Sequence, residues 1–240
     1  MSRLLAILTL VVSVTFAVSP FFVTSFAGFD PSLFPVPQDN PPVQPAGYAF
    51  SIWGLLYVWL IVSAGFGLVK RAEHPAWQPA RPWLLASLAM GTFWLALAER
   101  TPIGATLLIW AMLATALVAL FKTPKRDRWW YQAPIATYAG WLTAASSVSV
   151  GLLLAGWGIL EATPAALVAL MIALVLGLFV QSRVMRAPGY ALALIWALIA
   201  VVVSNSDPLN TPVAGLAALG AVLFTAMLIL RRRMGRDNAA

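Results

Sequence analysis

Two aromatic stripes carry the recognisable chemistry of this chain. Phe50, Trp53 and Tyr57 recur at i, i+3 and i+7, a spacing that puts side chains on one face of a helix. Further on, Tyr138, Trp141, Ala145 and Ser149 follow i, i+3, i+7 and i+11. Each stripe combines flat aromatic surface with a hydroxyl or an indole donor, and the second adds small residues. Facing each other, such stripes can hold a flat, mostly apolar guest, the rings giving contact area and the few polar atoms orientation. Aromatic packing between helices satisfies the same spacing.

Residues for covalent or metal chemistry are sparse. The sequence has no cysteine and a single histidine, His74, which excludes disulfides, thiol chemistry and a histidine metal cluster. His74 lies in a charged stretch and reads as a solvated loop residue. The glycines lack the Lys and the strand–helix setting of a phosphate-cradling loop. Glu99, Glu161 and Asp207 fall at the ends of apolar stretches, not in their middles, where ion-coupled carriers place ionisable groups. No catalytic residue, metal ligand or covalent cofactor is expected.

The stripes need helices to position them, and the composition places those helices in lipid. Of the 240 residues 61% are hydrophobic and 10% charged, against roughly 45–50% and 25% in soluble proteins. Eight stretches approach the about 20 apolar residues of a membrane span: Leu4–Phe26, Tyr48–Val69, Pro82–Ala98, Pro102–Phe121, Ala133–Leu154, Pro164–Val180, Gly189–Asn205 and Pro212–Leu230. The third, sixth and seventh are short. These runs are continuously apolar, which excludes a β-barrel and leaves an all-α polytopic bundle. Leu4–Phe26 is long for a signal sequence and reads as a retained first helix.

The charges give the orientation. With eight spans and both termini cytoplasmic, fourteen of the fifteen basic residues fall inside, Arg100 being the exception. Asp30, Asp39, Glu99, Glu161 and Asp207 fall outside. The net charge of +7 is therefore a topology signal, and nucleic-acid binding is excluded. Trp77, Trp83, Trp129, Trp130, Tyr131 and Tyr190 are expected as interface anchors on the basic side, and Trp157 on the other. Thr101-Pro102, Thr163-Pro164 and Thr211-Pro212 each open a span with a capping residue and a proline. Spans 3–4, 5–6 and 7–8 therefore read as three related hairpins, or as convergence on one good helix start.

The segment Pro45-Ala46-Gly47-Tyr48-Ala49-Phe50-Ser51-Ile52-Trp53-Gly54-Leu55-Leu56-Tyr57 resembles the motif that opens the second helix of the tryptophan-rich sensory protein family, the TspO/MBR translocator-protein relatives. Tyr138-Ala139-Gly140-Trp141 followed by Ala145 resembles that family's fifth helix. Ala46 replaces a proline of the family, Tyr48 a tryptophan and Ser149 an asparagine, and Phe50 to Trp53 is one residue short. The resemblance covers residues 1–154, including a Pro-rich outer loop at 27–47. Residues 155–230 then supply three added spans of the same bundle, and 231–240 a basic cytoplasmic tail.

The resemblance implies a sensor or translocator that binds a tetrapyrrole, such as a porphyrin, or a sterol-like ligand inside the bundle. Pro45, Gly47, Phe50, Trp53 and Tyr57 would form one wall and the hinge of a lid, with Gly47 allowing close backbone approach. Tyr138, Trp141, Ala145 and Ser149 would form the facing wall. It further implies a bacterial plasma membrane setting, lipid and a hydrophobic small molecule as partners, a homodimer as one arrangement, and light-driven porphyrin degradation as a side activity. A small-solute carrier built from hairpins and an accessory subunit of a larger membrane complex are the other readings.

Overall fold

A computed structural model of the protein describes residues 2–23, 28–124 and 126–237, with side chains as far as residue 230. Phe26 and Ala27, the expected end of the first span and start of the loop, lie outside the described residues, as do Lys125 and 238–240. Eight α-helices follow one another: α1 Ser2–Val18, α2 Ile52–Arg71, α3 Arg81–Ala98, α4 Pro102–Phe121, α5 Ala133–Gly156, α6 Ala162–Arg183, α7 Pro188–Ser204 and α8 Thr211–Asp237. The described chain has no strand beyond an isolated bridge between Ser206 and Leu209.

Among the described residues, six helical segments are long and apolar enough to cross a membrane: Ser2–Phe22, Gly47–Arg71, Pro102–Phe121, Arg128–Gly156, Ala162–Arg183 and Thr211–Leu230. The other two helices are shorter, α3 with 18 residues and α7 with 17. At about 1.5 Å per residue they still approach the ~30 Å of a bilayer core. Both are held by neighbours, α3 between α1 and α4, and α7 between α5 and α8. This is an all-helical, multi-pass membrane bundle.

Three helix ends differ most from the sequence expectation, the first being α1, which stops at Val18 before a 3-10 turn over Ser19–Phe22. Residues Gly47–Ser51 form a 3-10 turn, so α2 begins at Ile52 and not at Tyr48. At the other end of the chain, helix α8 continues to Asp237 through most of the stretch expected to be a basic tail.

The Thr-Pro starts also separate. Thr101 caps α4, its hydroxyl accepting from the Gly104 N–H at 3.2 Å. Thr163 lies inside α6, which opens on Glu161 without a side-chain cap; its hydroxyl instead accepts from Asn210 Nδ2 at 2.9 Å. Asn210 itself accepts from the Val213 N–H at the head of α8, at 3.4 Å. A β-hydroxyl beside proline can serve as cap or as partner for another helix, and sequence does not separate the two roles.

Helix α5 is the axis of the bundle, packed against α2, α4, α6 and α7. It is apolar or small all round and buried on almost every side, as an internal helix must be. Its crossing with α7 depends on Gly140, since a Cβ there would collide with the backbone carbonyl of Tyr190. A backbone neighbour cannot swing aside. Gly140→Ala is therefore expected to destabilise the bundle by about 1–3 kcal/mol, read as a lower thermal midpoint in detergent.

The loops gather at two opposite ends, as the charges required. At the basic end, Arg71 grips Asp127 with Nε at 2.8 Å and Nη2 at 3.1 Å, and Trp77 Nε1 donates to the same carboxylate at 2.9 Å. The Arg71 hydrogen bonds hold Asp127 below the ordinary carboxylate value of 3.8. This contribution is complete above that pH and fades as pH falls through the lowered value. Arg186 Nη2 donates to the Thr123 carbonyl at 2.8 Å, tying the α6–α7 connection to the same end. At the other end the Pro-rich loop meets the α5–α6 connection through Val36 N–H to Gly156 O at 2.9 Å. Even helix count and alternation bring both described chain ends to the basic end.

Three expected interface anchors are core residues. Trp77, Tyr131 and Tyr190 are all buried. Trp77 stacks on Tyr131 with centroids 3.8 Å apart, and the Tyr190 hydroxyl meets Thr143 Oγ1 at 2.8 Å. Each ring has a polar partner inside the protein, which removes the reason for it to seek the headgroups. Trp83, Trp129, Trp130 and Trp157 are exposed, as anchors should be.

Candidate functional site: an aromatic cavity

A cavity of about 80 Å³ lies at the acidic end of the bundle, beneath the Pro-rich loop. Pro45, Phe50 and Trp53 form one side, and Trp141, Ala145 and Ser149 the other. Six of the nine residues expected at the site thus converge on one space. Phe50 and Trp53 both meet Trp141 edge-on, with centroids 6.1 and 6.2 Å away. Edge-to-face contacts of this kind fix ring orientation.

The other three expected residues stand elsewhere. Gly47 is exposed, and a Cβ on it would meet nothing within 4 Å. The structure therefore gives Gly47 no close backbone approach to permit. Tyr57 and Tyr138 lie below the cavity, nearer the basic end. Phe16 of α1 fills the space between them, 5.1 Å from Tyr57 and 6.0 Å from Tyr138. Tyr57 stacks under Trp53 at 5.5 Å, and the Tyr138 hydroxyl meets Ser87 Oγ at 3.0 Å. Together with Phe16 they floor the cavity without lining it.

Three groups of lining residues had no signal in the stripes. Gly28, Phe29, Val43 and Gln44 come from the loop. Ala169, Leu170 and Ala173 come from α6, and Leu194, Ala197 and Leu198 from α7. These last two helices are thus walls of the same space. Trp94 lines it from α3; its position within a repeated hairpin was the one available hint.

The electrostatics of the space are simple. Among the described residues, none that lines it is charged. Ser147 and Ser149 donate back to the Thr143 and Ala145 carbonyls of their own helix at 2.8 and 2.9 Å. Trp94 Nε1 donates to the Ala105 carbonyl at 2.9 Å. Trp141 is different: its ring is 2% exposed, and Nε1 has no hydrogen-bond partner. A buried donor without an acceptor costs about 1–3 kcal/mol.

The roof is pinned to the last turns of α7. Ala46 N–H donates to the Ala200 carbonyl at 3.1 Å. Ser204 Oγ donates to the Gln44 carbonyl at 2.8 Å, and Asn205 Nδ2 to the Pro42 carbonyl at 2.8 Å. Lifting the loop requires breaking these bonds and the Val36–Gly156 bond and exposing the buried Phe34 and Val43.

The family model described as TSPO-like protein matches residues 3–230. The match runs through α6, α7 and α8, past the segments that carry the two aromatic motifs. No match is found among curated proteins or among solved structures.

Proposed function

The chain belongs to the TSPO-like protein family, and from that membership and the cavity's chemistry we propose that it binds a flat hydrophobic ligand between α2, α5, α6 and α7. It would act as a membrane sensor or translocator-type protein. Trp141 carries this reading: its ring lines an apolar and aromatic space and its Nε1 is a buried donor without a partner, which suits a ligand with broad apolar faces and one acceptor. Porphyrins carry ring nitrogens and carboxylates, and sterols a hydroxyl, so both classes supply that acceptor. The basic end would face the cytoplasm of a bacterial plasma membrane, following the positive-inside bias.

The cavity, about 80 Å³, is small against the ~300–1,000 Å³ of sites for drug-sized ligands. A tetrapyrrole would therefore need the loop to lift off α7. Titrating protoporphyrin into the purified protein is expected to quench tryptophan fluorescence saturably. Trp141→Phe keeps the ring area but removes the donor, and should weaken binding roughly threefold to tenfold, the worth of one neutral hydrogen bond. Unsaturable quenching, or equal affinity in Trp141→Phe, contradicts the proposal.

A further inference from the structure

A second concave feature lies on the outer flank of the bundle, between α2 and α7. It measures about 440 Å³ and runs from Arg128 and Trp129 down to Trp196. Leu55, Trp59 and Leu192 are among its walls. Leu55 and Leu192 are each more than half exposed, so this groove opens sideways, where the bilayer lies. It shares no lining residue with the inner cavity. Trp196 Nε1 donates to the Ala49 carbonyl at 3.0 Å and ties α7 to the turn that precedes α2.

The charge at one end of this groove is uncompensated. Asp127 stands next to Arg128 but is already occupied by Arg71 and Trp77. Among the described residues, no hydrogen bond or ion pair engages the exposed Arg128 side chain. Asp127 adopts a left-handed backbone, φ 52°, a conformation that aspartate tolerates better than most residues. That bend starts a single π-helical turn, Arg128–Gln132, ahead of α5. It sets Arg128 and Trp129 on the groove side.

Depth completes the argument. Trp129 is 70% and Trp130 45% exposed, and exposed indoles settle at headgroup level. Arg128, one residue away, is then at the depth of lipid phosphates, with the apolar groove beneath it at acyl-chain depth. We infer that the α2/α7 groove holds one anionic phospholipid, its phosphate on Arg128 and an acyl chain along Leu55, Leu192 and Trp196. A zwitterionic lipid brings its own cation to the same place and gains less. This site rests on neither the inner cavity nor its ligand.

The test is native mass spectrometry of the full chain in detergent with equal phosphatidylglycerol and phosphatidylcholine added. The wild type should retain one phosphatidylglycerol with about fivefold preference, the worth of one Arg near a charged headgroup. Arg128→Gln should erase that preference. Arg126→Gln, two residues away, exposed and outside the groove, should leave it intact. Leu192→Trp fills the groove and should lower retention of both lipids. Equal retention of the two lipids by the wild type overturns the assignment, as does equal damage from Arg126→Gln, which would mark a diffuse surface charge effect. A dimer that disappears in Leu192→Trp, with lipid retention unchanged, would assign the groove to a second copy of the chain and overturn it too.

Discussion

The Ala145→Leu substitution is expected to abolish saturable porphyrin quenching, a loss of at least about a hundredfold in affinity, while leaving the fold intact. Ala145 lines the cavity on α5, one turn from Trp141. Its methyl borders a space of only about 80 Å³, so an isobutyl group occupies what the ligand must enter. Filling a void generally stabilises a protein by about 0.5–2 kcal/mol, so the thermal midpoint should hold or rise. That pairing separates this effect from misfolding, which would lower both. If Ala145→Leu binds porphyrin as the wild type does, the ligand sits elsewhere. If it loses binding together with its thermal midpoint, the leucine has wrecked the packing of α5.

Arg81→Met is expected to produce the largest loss of stability. Arg81 is 2% exposed, and among the described residues no carboxylate pairs with it. Its Nη1 donates to the Ala72 carbonyl at 2.6 Å, and Nη2 to the Gly67 and Arg71 carbonyls, both at 2.9 Å. These carbonyls sit at the end of α2, where the Arg71 carbonyl also accepts from the His74 N–H at 3.1 Å and the Ala72 carbonyl from Gln78 Nε2 at 2.9 Å. A cation there also suits the negative end of the helix dipole. The guanidinium lies 5.5 Å over the Trp77 ring, a favourable place for a cation. Methionine keeps the packing volume but removes three charge-assisted hydrogen bonds, which should cost about 3 kcal/mol or more. Arg81→Lys should fall between, because one ammonium lacks the fork that serves three acceptors. A thermal or denaturant midpoint for Arg81→Met within error of the wild type would show that water or lipid replaces the arginine freely.

Sequence made the frame visible. Long apolar runs and the alternation of charged loops gave eight helices and two unlike ends, because bilayer thickness and positive-inside bias act on composition directly. Residues at the mouth of the cavity were legible too: Trp141, Ala145 and Ser149 keep one face along an unbroken helix. The stripe on α2 failed at Tyr57 because of depth. Phe50, in the 3-10 turn before α2, and Trp53 both reach the cavity, whereas Tyr57 keeps the face of Trp53 but lies one turn deeper, stacked under it and against Phe16. Tyr138 kept its face but lay one turn too deep, where Phe16 fills the space. Ala169, Ala173 and Ala197 were invisible as site residues, since an alanine that lines a void and one that lets helices meet look alike in sequence. Arg81 resembled any other loop-side cation. Its burial follows from the approach of α3 to the end of α2, a tertiary fact.

A structure of the protein with protoporphyrin bound tests the central claim most directly. The account predicts the porphyrin between Trp53 and Trp141, the Pro-rich loop displaced from α7, and a porphyrin acceptor about 2.7–3.2 Å from Trp141 Nε1. Porphyrin seated on the outer flank, or inside with Trp141 Nε1 still lacking an acceptor, would contradict it.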